Sequence, residues 1–215
     1  SAATRSRMGI ATTCYMTVWK PKDTLEFLEH AIAVGAGGIQ AGLSSFEPAY
    51  LRKLRDRAGA AGMYIEVMSA MPRRDDTSAF ERTVSAAKQV GALCLRCACL
   101  GGRRYETFDN LPAWQEHAAA SRMAIDRAAG IVEREKLPLA IENHKDWTAE
   151  ELAAIMKSRS SEYLGVCLDT GNNIALLDDP LAVVETLAPY AVSTHIKDMA
   201  VREYADGFLL SEMPL

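Results

Sequence analysis

The sequence predicts a (β/α)8 barrel, a closed parallel sheet wrapped by helices. Three observations carry that expectation. Strand-like and helix-like runs alternate along nearly the whole chain without a linker, and the strands are near-continuous apolar runs of the kind buried on both faces. No GxGxxG follows the first strand, as a doubly wound dinucleotide fold would require. Small residues line one face of several strands below a polar side chain at the strand end, which describes a barrel with its site at the C-terminal mouth.

Each unit can be justified in turn. "MGIATTCY" (8–15) precedes the helical "DTLEFLEHAIAVGA", with Asp23 suited to the N-cap and Gly35 to the stop. "GIQAGL" (38–43) leads into "PAYLRKLRDRAGAAG", where Pro48 fits a first helical turn. "MYIEVMSAM" (63–71) is followed by "TSAFERTVSAAKQVGA", whose Thr77 to Glu81 carry cap-like polarity. "LCLRCACLGG" (93–102) precedes a long helix from about Pro112 to Lys136. "PLAIENH" precedes "TAEELAAIMKSR", and Thr148 with Glu151 fits a capping box. "LGVCLDTGN" (164–172) precedes "DPLAVVETLAPY", and "AVSTHIKD" (191–198) leads to an extended "DGFLLSEMPL". The 215 residues suit a single domain.

Charge and composition exclude several functions. The formal net charge of −4 argues against a nucleic-acid binder, which needs a basic surface to neutralise phosphates. No apolar run approaches the roughly 18 residues of a membrane span. The five cysteines (Cys14, Cys94, Cys97, Cys99, Cys167) all fall in apolar, strand-like runs and read as buried free thiols. In particular, the CxxC of Cys94 and Cys97 would put its thiols on opposite faces of a strand. Free thiols favour a reducing, cytoplasmic compartment. The small, polar start "SAATRSRMG" suggests that something upstream was removed, so an exported location is the alternative.

Period-two parity defines the inward face. Glu142 shares a face with Ala140; Asp169 with Cys167 and Gly165; His195 with Ser193 and Ala191. The bulky alternates Ile141, Val166, Leu168, Val192 and Ile196 then point toward helices. On the fourth strand Cys94, Arg96 and Ala98 share a face. Three successive strands thus end, at the same depth, in Glu142, Asp169 and His195. Each alone reads as a solvated end, a turn or a core histidine. Together, two carboxylates and an imidazole form a mixed O/N set suited to Mn²⁺, Mg²⁺, Co²⁺ or Zn²⁺.

"IENH", "CLDTGN" and "THIKD", in this order, resemble the metal-site segments of the xylose-isomerase-like TIM-barrel superfamily, which includes sugar and sugar-phosphate isomerases and epimerases, inosose dehydratases and, more remotely, endonuclease IV. The resemblance spans the whole chain. It implies that Glu142, Asp169 and His195 are three of four metal ligands, the fourth being a second Glu at the end of an eighth strand. The stretch after His195 is too short to reach that strand, which leaves Glu212 and Glu203 as candidates by default. A barrel of this architecture usually has about 250 residues, so the expectation is a chain whose last β/α unit falls outside this sequence.

The resemblance implies a sugar isomerase or epimerase: the cation polarises a carbonyl, Glu142 removes the adjacent proton, and an enediolate follows. Several residues can grip a sugar or sugar phosphate. Lys197 shares parity with His195, while His144 and Asn172 lie just past Glu142 and Asp169. Arg96 faces inward and either pairs with Glu66 or meets an anionic substrate, with Glu66 itself a possible contact. Arg202 suits a phosphate or carboxylate. Trp147 and Tyr15 either cover a sugar or simply pack. A metal-dependent lyase or dehydratase on a keto-sugar or inosose is the enzymatic alternative, and a non-catalytic metal- or sugar-binding barrel the other. Homo-oligomerisation is compatible with all of them.

Overall fold

A computed structural model describes residues 7–15 and 18–215 of the protein. The first six residues, where the sequence suggested an upstream removal, lie outside the described part. The chain packs as two compact units: one holds the residues up to Arg96 with Glu135–Leu137, the other Cys97–Arg134 with Pro138–Leu215.

In the first unit β1 (Ile10–Ala11), β2 (Gly38–Ala41), β3 (Tyr64–Met68) and β4 (Leu95–Cys97) pair in parallel and in chain order. The intervening helices are α1 (Thr24–Ala33), α2 (Pro48–Ala60) and α3 (Ser78–Gln89). The second unit contains α4 (Arg104–Thr107), nearly all of α5 (Leu111–Glu135), β5 (Leu139–Glu142), α6 (Ala149–Arg159), β6 (Leu164–Asp169), α7 (Pro180–Leu187), β7 (Ala191–His195), β8 (Asp198–Tyr204) and β9 (Gly207–Met213). Strands β5, β6 and β7 again pair in parallel and in chain order. A doubly wound sheet would reverse its strand order after the first βα unit; neither unit does.

Local chemistry explains the element ends. Asp23 caps α1 by accepting from the Glu26 N–H, and Gly35 leaves that helix at φ 81°. Pro48 opens α2. Thr148 and Glu151 form the reciprocal capping box of α6. Asp179 caps α7 through the Ala182 N–H. Each helix buries a stripe at helical spacing, such as Leu51, Leu54 and Ala58 on α2 or Phe80, Val84 and Ala87 on α3. Each large side chain so buried contributes roughly 1.5–3 kcal/mol.

Five expectations are corrected. The first strand is only Ile10–Ala11, because Thr12–Tyr15 closes into a 3-10 turn. Cys14 lies on that turn and is exposed, while Cys94, Cys97 and Cys167 are buried free thiols and Cys99 is half-buried. Val192 and Ile196 are not covered by helices: they are 39% and 51% exposed. The segment after β7 folds instead into an antiparallel hairpin, β8 with β9, which includes most of the extended "DGFLLSEMPL". Finally, the three strand ends are not level. Glu142 is in register with Cys167, whereas Asp169 is in register with His195. Tilted barrel strands are staggered in this way, so common parity survives while common depth does not.

Candidate functional site

The site lies within the second unit. β5 delivers Glu142, β6 Asp169 and β7 His195, and the two carboxylates are 1% and 0% exposed. His195 Nδ1 stands 3.3 Å from Glu142 Oε1 and 3.7 Å from Asp169 Oδ2. Glu142, Cys167 and His195 each offer one ligand-type atom within 4.8 Å of the others. Two desolvated carboxylates this close to one imidazole are unfavourable without cationic compensation, and the donor set of oxygen, nitrogen and a nearby sulfur fits a divalent ion.

A hydrogen-bond network fixes these groups. Asp169 Oδ1 accepts from the N–H groups of Gly171 and Asn172 at 2.9 and 2.8 Å, which turns Oδ2 toward His195 and Lys197. Asn172 Nδ2 donates to Glu142 Oε1 at 3.0 Å. Lys197 Nζ lies 3.2 Å from Asp169 Oδ2, 3.2 Å from Asn172 Oδ1 and 3.4 Å from Glu212 Oε1. Burial pushes the Asp169 carboxyl upward, but the His195 imidazole, the Lys197 charge and the two backbone N–H groups outweigh it and hold Asp169 below its ordinary value. Gly171 makes the Lys197 approach possible: a Cβ there would sit 2.7 Å from Lys197 Cγ and 2.8 Å from Met199 Cγ.

Asparagines lock the scaffold from behind. The fully buried Asn143 donates to the Asp169 carbonyl and accepts from the Asp169 N–H, tying β5 to β6. It also donates to Asn173 Oδ1, and Asn173 in turn donates to the Trp147 carbonyl and Asp178 Oδ2. Asp146 Oδ1 accepts from the N–H groups of His144 and Trp147, and burial raises this carboxyl from 3.8 to about 6. His144 Nδ1 lies 2.9 Å from the Leu100 carbonyl, which can only accept, so Nδ1 carries the proton.

With this geometry in place, residues 28–208 match the family model described as xylose isomerase-like TIM barrel. The chain belongs to that family. Among sequence relatives of this xylose isomerase-like barrel, 3-oxo-isoapionate decarboxylase of Pectobacterium atrosepticum is 27% identical over 204 residues, 90% of this chain and 70% of the relative. Similar solved structures include the 3-keto-D-glucoside 4-epimerase of E. coli (TM-score 0.71, 12% identity, 90% of this chain and 80% of the other). A D-psicose 3-epimerase superposes with a TM-score of 0.68 at 19% identity (88% and 73%). The IOLI protein with a bound zinc atom superposes at 0.66 and 17% (94% and 76%). At these identities the structures speak for the fold alone.

The remaining sequence candidates distribute unevenly over the barrel. Lys197 and Asn172 join the cluster directly. His144 is half-buried in the loop after Glu142. In the first unit Glu66 accepts from Gln40 Nε2 at 2.8 Å, and Arg96 lies half-buried on β4. Arg202 is exposed on β8, and its side chain makes no hydrogen bond or ion pair among the described residues. Glu203 is exposed on β8; Glu212, on β9, reaches Lys197. Trp147 does not cover a sugar, since it is fully buried edge-on to Trp114. Tyr15 packs edge-on to Trp19 and His30. In the loop after β4, Arg103 pairs with Glu106, and Arg104 pairs with Glu151 and lies 4.0 Å above the Trp114 ring. Asn143 and Asn173 were not among the sequence candidates. Asn143 directly follows β5, and Asn173 lies in the 3-10 turn after β6, where only folding brings it to Asn143.

Proposed function

We propose that this chain is a divalent-metal-dependent enzyme that transfers a proton alpha to the carbonyl of a sugar or related polyhydroxy compound, as an isomerase or epimerase does. One observation carries the reading: Glu142, Asp169 and His195 converge from three strands, two of them as buried carboxylates, with His195 Nδ1 at 3.3 and 3.7 Å from the two acids. Glu142, Asp169 and His195 would hold the ion; Cys167 Sγ lies within 4.8 Å of ligand-type atoms of Glu142 and His195. Bound there, a divalent ion polarises a substrate carbonyl and stabilises negative charge on its oxygen.

The residues of the chain supply the rest. Asn172 and His195 orient the Glu142 carboxylate, which takes the proton from the carbon next to the carbonyl. General-base help of this kind contributes about 10²–10⁴-fold. Lys197 neutralises Asp169 and presents an ammonium to the same space, where it donates to a substrate hydroxyl or enolate oxygen. His144 would contact a substrate hydroxyl, whereas Asn172, fully buried and bonded to Glu142 and Lys197, would act through those two side chains. Return of the proton to the neighbouring carbon isomerises the sugar; return to the opposite face epimerises it. The epimerase folds at TM-scores of 0.71 and 0.68 support this reading.

A lyase is the second reading. The 27% identical relative is a decarboxylase, and loss of carbon dioxide beside a ketone leaves the same enolate charge for the site to stabilise. Incubation with ketoses in deuterium oxide, with and without Mn²⁺, tests the preferred reading. Metal-dependent appearance of deuterium at the α-carbon is expected in the wild type and not in Glu142→Gln. Release of carbon dioxide from a β-keto sugar acid, with no exchange on ketoses, would favour the lyase.

A further inference from the structure

Strand β5 runs out before the site is complete. Its ladder with β6 pairs Leu139 with Leu164 and ends at Glu142, in register with Cys167. β6 continues two residues further, to Asp169, which is in register with His195 of β7. Past Glu142 the chain turns away instead of accompanying it: Lys145 has a φ of +67°, in the left-handed region, and α6 begins at Ala149. Asp169 therefore stands one step beyond the last residue pair that β5 can form.

That step has a cost. Asp169 is 0% exposed, and buried backbone N–H and C=O groups need partners. On the β7 side the next residue is served by backbone, since the Thr170 N–H donates to the His195 carbonyl at 3.1 Å. On the β5 side a side chain stands in for the missing strand. Asn143 Oδ1 accepts from the Asp169 N–H at 2.8 Å, and Asn143 Nδ2 donates to the Asp169 carbonyl at 2.9 Å. A side-chain amide carries the same donor and acceptor as a peptide group, so it can continue the ladder where the backbone has left.

The amide is itself held in place. Its second Nδ2 hydrogen goes to Asn173 Oδ1 at 2.9 Å, so both donors and the acceptor are spent on the scaffold. Asn173 in turn donates to the Trp147 carbonyl at 3.1 Å and to Asp178 Oδ2 at 2.8 Å. Asp178 Oδ2 also accepts from the Ala149 N–H at 3.1 Å, which anchors the brace in the first turn of α6. Asp169 so held turns Oδ2 to within 3.7 Å of His195 Nδ1.

We infer that Asn143 sets the affinity of the site for its cation, as a positioning residue that acts through the Asp169 backbone. The inference rests on the cation reading proposed above and adds to it a residue outside the ligand set. Partners of this kind orient a ligand, and their loss typically weakens metal binding about 10–100-fold.

The test is the Mn²⁺ dissociation constant of the full chain, read from the electron paramagnetic resonance of the free ion, beside urea denaturation of the same samples. Asn143→Ala is expected to weaken Mn²⁺ binding by about 10–100-fold and to speed hydrogen exchange at the Asp169 amide. Leu152→Ala, which truncates a fully buried side chain on α6, is expected to lower stability and leave the Mn²⁺ constant unchanged. Asn143→Asp keeps the acceptor and loses both donors. Its added negative charge alone would tighten a cation, so weaker binding in this variant separates position from charge, and it decides the matter if Asn143→Ala does not fold. Binding unchanged in Asn143→Ala, tighter in Asn143→Asp, or weakened equally by Leu152→Ala overturns the inference. In those cases Mn²⁺ uptake that still depends on Asp169 and His195 leaves the cation reading standing. No uptake of Mn²⁺, Co²⁺ or Zn²⁺ by the wild type overturns both.

Discussion

Two glutamates on parallel strands invite comparison: the half-buried Glu66 in the middle of β3 and the buried Glu142 at the end of β5. Both occupy half-buried or buried strand positions, and both accept from a side-chain amide, Gln40 at 2.8 Å in one case and Asn172 at 3.0 Å in the other. They differ in the company around that amide. Glu142 also meets His195, and a second carboxylate, Asp169, stands behind the same imidazole with Lys197 against it. A glutamate that accepts from a side-chain amide on a strand is thus not in itself a site. What marks the site is a density of charge that the protein's own groups do not comfortably absorb.

The largest expected effect separates the two glutamates. Glu142→Gln should reduce α-proton exchange by roughly 10²–10⁴-fold, and Asp169→Ala or His195→Ala should abolish stoichiometric metal uptake measured by elemental analysis. Glu66→Gln keeps an oxygen to accept from Gln40 and should leave metal content unchanged and exchange far less affected. Equal losses at both glutamates would erase the distinction drawn here.

A third carboxylate sharpens it. Asp146 is fully buried and meets two backbone N–H groups rather than a lysine. Burial raises it from 3.8 to about 6. A carboxyl raised in this way favours the fold when protonated, so its contribution is complete below the unfolded pKa and disappears as pH rises through about 6. The shift corresponds to about 3 kcal/mol. In urea denaturation, the stability of the wild type relative to Asp146→Asn should fall by about that amount between roughly pH 4 and pH 7. A flat difference across the range would show that burial does not govern this acid.

A smaller effect concerns the delivery of Lys197. Gly171→Ala places a Cβ 2.7 Å from Lys197 Cγ and must push that side chain aside. The overpacking should cost about 1–2 kcal/mol and should also raise the Asp169 carboxyl titration followed by NMR, since the Lys197 charge helps to hold it down. An unchanged Asp169 titration would show that Lys197 reaches Asp169 by another path.

Much of this was legible in the sequence because periodicity and capping are local. Asp23, Pro48, Thr148 with Glu151, and the parity of Glu142, Cys167, Asp169 and His195 follow from spacing alone. Where β1 ends was not legible, since the β-branched and aromatic residues of Thr12–Tyr15 suit a strand, yet the segment closes into a 3-10 turn. Likewise "DGFLLSEMPL" reads as extended, but only pairing with β8 makes most of it one arm of a hairpin and brings Glu212 to Lys197.

The sequence by itself determined the alternation of strands and helices and the shared parity that makes Glu142, Asp169 and His195 candidates for a cation site, because those depend on neighbours a few positions away. Tertiary structure alone decided the stagger between Glu142 and Asp169, the complete burial of Trp147, and the left-handed turn at Lys145. Register, burial and backbone strain are set by contacts between segments far apart in the chain, and no local pattern encodes them.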